Sequence, residues 1–204
     1  TRVAMLKRNE TDMISVTREK SAELQKEGFN IFESQDSALT WAIMHQQWKE
    51  NTPFRDIRVR EALNIAINRE EIVKYIFQGR ARPESNMIHS WSIGYEKLPP
   101  YPYDPQRARQ LLREAGYPNG FNTTVWDAGA GSINSTNAQA IAGYWRRAGI
   151  NAEVKAIEYT TVLGYYNAPK LNPAIYGTIW PHISGGGVLN FQKMSMSYHS
   201  SKGL

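Results

Sequence analysis

The chain has 204 residues, 41% hydrophobic, 21% charged and 11% aromatic, with a formal net charge of +5 and no cysteine. That length suits one large domain or two small ones with a real core, and the composition is that of an ordinary globular protein. No apolar run reaches membrane-span length, no charged start with an apolar stretch marks a signal peptide, and neither a disulfide framework nor a thiolate metal site is available. Acidic residues interleave with the basic ones, as in "RVREALNIAINREEIVK", so the mild excess permits an acidic partner without demanding one. The chain starts at Thr1, and is read as a mature product or an excised piece.

In chain order, "RVAMLKRNETDMISV" reads as a helix end and a short strand, "SAELQKEG" as a short helix, and "FNIFE" and "ALTWAIM" as strands. Asp56 stands as an N-cap, and Val59, Ala62, Leu63, Ala66 and Ile67 follow at helical spacing. Asn68 begins a second helix, with Glu71 completing a capping-box pattern; Ile72, Val73, Ile76 and Phe77 continue its apolar face, and Gly79 ends it. From Pro83 to Tyr103 a proline-rich arm crosses the surface.

A third helix is capped by Asp104, opened by Pro105 and stopped by Gly116, with Ala108, Leu111, Leu112 and Ala115 as its buried stripe. "YPNGF" is a turn, and Thr123 to Asp127 a strand. The loop "AGAGSINS" leads to a helix from Thr136 to Ala148, stopped by Gly149. Ile150 to Ile157 alternates as a half-buried strand, and a short helix lies near Thr161 to Asn167. "AIYGTIW" is a strand followed by the loop "PHISGGG". The alternation of strands and helices predicts an α/β fold with a layered sheet, in one domain spanning residues 1–204.

Candidate chemistry is sparse. His45, His89, His182 and His199 have no second ligand at metal spacing, and no nucleophile motif is present. Gly129 and Gly131 lie between a strand and a helix, but the third glycine of a dinucleotide fingerprint is replaced by Asn134. Their exposed amides, with Asp127 beside them, can still face a polar or anionic ligand group. Trp41, Trp126 and Trp145 read as core. Trp180 ends a strand, with His182 and a glycine run after it, and is placed to stack on a ligand. Trp48 and Trp91 flank the capped helices and are the further candidates. A nucleic-acid surface built on the scattered arginines is the alternative, as is a nucleotide-dependent enzyme.

"PFRDIRVREALNIAINREEIV" followed by "GRARP", and "YPYDPQRARQLLREAGYPNGF", resemble signature segments of the family 5 extracellular solute-binding proteins, the peptide- and nickel-type receptors of ABC importers. "AGYWRRAGINAEVKAIEY" and "TRVAMLKRNETDMISV" resemble two further segments, in the same order. The resemblance implies the second lobe of a type II periplasmic-binding fold, in a fragment of a longer two-lobed protein. It also implies capture of a small solute, such as a peptide or oligosaccharide, for a membrane permease, by a monomeric periplasmic or extracellular receptor with no catalysis and no cofactor or metal. Under it, Asp127, Gly129, Gly131, Trp180 and His182, with Trp48 and Trp91, are the expected solute contacts. The family often has Asp where Asn68 stands, and peptide-type members carry an acid after the strand where this chain has "WPHISGGGVLN".

Overall fold

The computed structural model describes residues 2–32, 38–44, 50–85, 89–92, 94–128, 133–166 and 178–185. Two compact units are resolved, Thr1–Gln35 and Asp36–Leu204. The first holds helix α1 (Arg2–Lys7) and helix α2 (Arg18–Lys26). Thr17 caps α2 by accepting from the Lys20 amide, and Lys7 pairs with Glu27 at 2.6 Å. The strands expected in this unit do not form among the described residues. Asp12 to Val16 and Phe29 to Phe32 are irregular. Alternating side chains make a strand only where a neighbouring strand takes up the backbone groups, and none is paired here.

The second unit is built on a four-stranded sheet in the order β1-β4-β2-β3, comprising β1 (Ala38–Met44), β2 (Asn122–Asp127), β3 (Asn151–Ala156) and β4 (Thr178–Gly185). β2 runs parallel to β3 and to β4, while β1 runs antiparallel to β4. Helices α3 (Ile57–Ile65), α5 (Pro105–Glu114), α6 (Ile133–Arg147) and α7 (Tyr159–Tyr166) complete the α/β layers.

The helix starts follow the local signals. Asp56 accepts from the Arg58 amide at 2.8 Å and also holds the Arg58 guanidinium, which draws its carboxyl below the usual range. Asp104 accepts from the Arg107 amide at 2.8 Å, with Pro105 opening α5. Asp56→Ala is expected to lower stability by about 1 kcal/mol in urea unfolding. Because the folded-state pKa is depressed, the contribution of Asp56 is present above the ordinary carboxylate pKa and disappears as pH falls through the folded value. The variant should therefore lose less of its stability on acidification than the parent.

Asn68 does cap the next segment, accepting from the Glu71 amide at 3.1 Å, but the regular helix expected there does not continue. One α-helical turn, α4 (Arg69–Glu71), passes into a π-helical turn at Ile72–Ile76. The Glu71 carboxylate does not turn back to close the capping box; it accepts instead from the Tyr144 hydroxyl of α6 at 2.5 Å. The tertiary bond sits at the point where the helix widens. Burial, and then the Glu71 bond, raises the Tyr144 pKa.

The core lies between α3, α5, α6 and the sheet: Val59, Leu63, Leu111, Leu112, Val125, Ile141, Trp145 and Ile150 are buried in one cluster. Trp145 is 1% exposed and its indole N–H donates to the Leu63 carbonyl at 2.9 Å, joining α6 to the last turn of α3. Arginines tie element ends together by donating to backbone carbonyls. Arg58 donates to the Glu114 carbonyl at 2.7 Å, Arg109 to that of Arg147 at 2.9 Å, and Arg146 to that of Ala152 at 2.6 Å. The turn before β2 lies against the turn before β3, and Gly120 (φ 71°) approaches the Gly149 carbonyl closely.

Candidate functional site

β4 corrects the sequence expectation. The strand does not end at Trp180: from Thr178 it runs through Pro181 and His182 to Gly185, where a loop was expected, while residues 174–177 of the expected strand lie outside the described residues. β1 is the reason. It pairs with β4 over its whole length, from Met44 opposite Ile179 to Ala38 opposite Gly185. Among the described residues, pairing with β2 covers Thr178 and Ile179, opposite Thr124 and Val125. Pro181, which has no N–H to give, therefore falls where β4 no longer needs a donor toward β2. Trp180 and His182 thus lie in the strand, opposite Ile43 and Trp41 of β1.

β2 ends beside this stretch with Asp127, which is 7% exposed. The Ser135 hydroxyl, in the first turn of α6, donates to Asp127 Oδ2. The Asp127 carbonyl accepts from the Ile157 amide at 3.0 Å, just past the end of β3. A nearly buried carboxylate is thereby oriented at the C-terminal ends of two parallel strands and the N-terminus of a 15-residue helix. Open α/β sheets receive ligands at such strand ends, and an ionised carboxylate fixed there is an acceptor suited to a donor group. Asp127 and the backbone of Trp180 and His182 are therefore brought to neighbouring strands of one sheet.

The other candidates fall elsewhere. Trp48, Gly129 and Gly131 lie outside the described residues. Trp91 belongs to the arm between Pro83 and Tyr103 and is 58% exposed. It stacks on His89, centroids 4.9 Å apart and planes 13° from parallel. The arm is tied to itself: Ser85 donates to the Pro99 carbonyl at 2.9 Å and Tyr95 to Glu84 at 3.2 Å. Its end is fixed to α3 by the Asp104 amide, which donates to the Ile65 carbonyl at 2.8 Å.

Sequence reasoning missed Ser135 and the burial of His89. The serine could have been found from its place one turn into α6, facing the strand end; nothing local marks the histidine. Among the described residues no three His, Asp or Glu side chains gather as a metal cage, and no helix is long and apolar enough to cross a membrane. An open depression along Asn68 to Gly79, lined by Glu70, Glu71, Lys74 and Tyr75, belongs to a single helical segment and gathers no groups from other elements.

Residues 1–193 match the family described as "Bacterial extracellular solute-binding proteins, family 5 Middle". Glutathione-binding protein GsiB of Escherichia coli (strain K12) is 38% identical over 166 residues, which cover 78% of this chain and 31% of that protein. The chain spans about a third of the length of the curated relatives it matches. Among solved structures, ABC transporter substrate binding protein CtaP of Listeria monocytogenes superposes with a TM-score of 0.77 at 18% identity, over 96% of this chain and 40% of that one. The periplasmic binding protein DppA of Helicobacter pylori, in complex with the peptide STSA, gives a TM-score of 0.68 at 23% identity, over 93% and 36%.

Proposed function

The chain belongs to family 5 of the bacterial extracellular solute-binding proteins and has their type II periplasmic-binding fold, and from that membership we propose that it is one lobe of an ABC importer's receptor. The intact receptor captures a small peptide-like solute between two lobes outside the cytoplasmic membrane, closes, and hands it to a permease. It performs no chemistry on the solute. Hinged closure of two lobes over a ligand is the physical basis of such capture, and the share of the relatives that this chain covers accords with one lobe plus flanking segments.

One observation carries the reading: the Ser135-oriented carboxylate of Asp127 at the end of β2, beside the part of β4 that has left β2. Binding there needs a fixed polar group and an aromatic surface, not a nucleophile or a base. Asp127 supplies the first and Trp180 the second, with His182 two residues further along the strand and the amides of Gly129 and Gly131 after β2. The identity shared with a glutathione-binding protein makes glutathione the first solute to try.

Two measurements test this. Mass spectrometry of the intact receptor, purified without denaturation, should find a bound small peptide or related polar solute; finding nucleotide or nucleic acid would refute the assignment. Trp180→Ala in the intact receptor should weaken binding by about 1–3 kcal/mol, as for a truncated aromatic anchor, and normal affinity would remove Trp180 from the site.

A further inference from the structure

His89 has no exposed surface. Both of its ring nitrogens, and the hydroxyl oxygen of Ser92, are shielded from solvent and have no hydrogen-bond partner among the described residues. Buried polar atoms left unpaired cost stability, and a phenyl ring and a methyl group would fill the same space without that cost. Their presence makes sense if a partner reaches them in another state of the protein. The cover over them suggests how. Trp91 lies flat on the imidazole, ring centroids 4.9 Å apart, and is 58% exposed, so the cover is a surface side chain with solvent beside it into which it can turn. The backbone beneath is held. The Ser92 amide donates to the His89 carbonyl at 2.9 Å and the Tyr95 amide to that of Ser92 at 3.1 Å, while the Ser85 and Tyr95 side chains tie the arm together.

We propose that Trp91 is the movable cover of a polar subsite in which the His89 imidazole and the Ser92 hydroxyl take an amide group of the solute. A neutral imidazole offers one donor and one acceptor, and a hydroxyl offers both. An amide matches that set with its carbonyl and N–H in one plane. A carboxylate brings acceptors only and leaves the imidazole acceptor unmatched; an ammonium brings donors only and leaves its N–H unmatched. The flat amide also suits a space bounded by aromatic rings. This subsite rests on the solute-binding reading above and adds to it the chemical class of one recognised group.

The test is His89→Phe in the intact receptor, which keeps a flat ring for Trp91 to stack on and removes both nitrogens. Without solute the variant is expected to melt about 2–4 °C higher, because two unpaired polar atoms leave the interior. With glutathione, which contains two amides, it is expected to bind at least ten-fold more weakly by calorimetry. A lower melting temperature would show that the nitrogens are already paired in the resting protein, through ordered water, and would overturn the proposal. So would unchanged glutathione affinity. If the parent receptor itself ignores glutathione, that solute is wrong, and acetamide titrated against the ¹⁵N signals of the His89 ring decides the matter. A saturable shift supports the subsite, and no shift overturns it.

Discussion

Trp145→Ala is expected to cost about 3–5 kcal/mol in urea unfolding, the range for deleting a large buried aromatic. The indole is 1% exposed and sits among Leu63, Ile141, Ala142 and Ile150 in the central cluster. Its removal opens a cavity and strands the Leu63 carbonyl, which receives the indole N–H at 2.9 Å. Since a natural domain is stable by only about 5–15 kcal/mol, the variant should be near the limit of folding. Trp145→Phe separates the two contributions: it keeps most of the packing and loses the hydrogen bond, so its cost should fall near 1–2 kcal/mol. A loss below about 1 kcal/mol for the alanine variant would mean that α6 does not pack on α3 in this way.

Gly120→Ala should be as damaging for a different reason. A Cβ at Gly120 would lie 1.8 Å from the Gly149 carbonyl oxygen and 2.8 Å from its carbon. Those are backbone atoms, so no rotamer change relieves the overlap, and the turns before β2 and β3 must separate. Gly116→Ala is the control. Its φ of 89° is equally left-handed, but nothing lies within 4 Å of the added methyl. The control should lose about 1–2 kcal/mol from backbone strain alone, whereas Gly120→Ala should lose more than about 4 kcal/mol or fail to accumulate as folded protein. Equal melting temperatures for the two variants would show that the close approach has no energetic consequence.

These two residues mark the boundary of what the sequence reveals. Gly120 and Gly149 are readable as a turn residue and a helix stop, because each needs a left-handed backbone that local sequence signals. That they touch is not readable, since it depends on β2 and β3 lying side by side. The caps at Asp56, Asn68 and Asp104 were legible for the same local reason, each acting within three residues of itself. The π turn after Glu71 was not, because Tyr144, which holds the Glu71 carboxylate, lies 73 residues away.

Trp180 shows the same limit at the site. Its strand was legible, but its place within that strand was not, because the pairing that extends β4 to Gly185 comes from β1 at residues 38–44. Asp127 was visible as the end of a strand, and its partner Ser135 only as part of a polar loop leading into a helix. His89 looked like any isolated histidine, and only the folded arm buries it.

The strand order has a consequence for the birth of the protein. Among the described strands, β4 comes last in the chain and stands between β1 and β2, the first two. A ribosome that has finished β1 at Met44 must add 134 residues (178 − 44) before Thr178 emerges to begin joining the two halves of the sheet. At roughly 5–20 residues per second this leaves β1 without its sheet partner for on the order of ten seconds. During that interval "ALTWAIM" is a bare apolar ribbon, and a chaperone has reason to hold it. A nascent chain arrested before β4 should therefore be protease-sensitive at β1 even though α3, α5 and α6 are already complete.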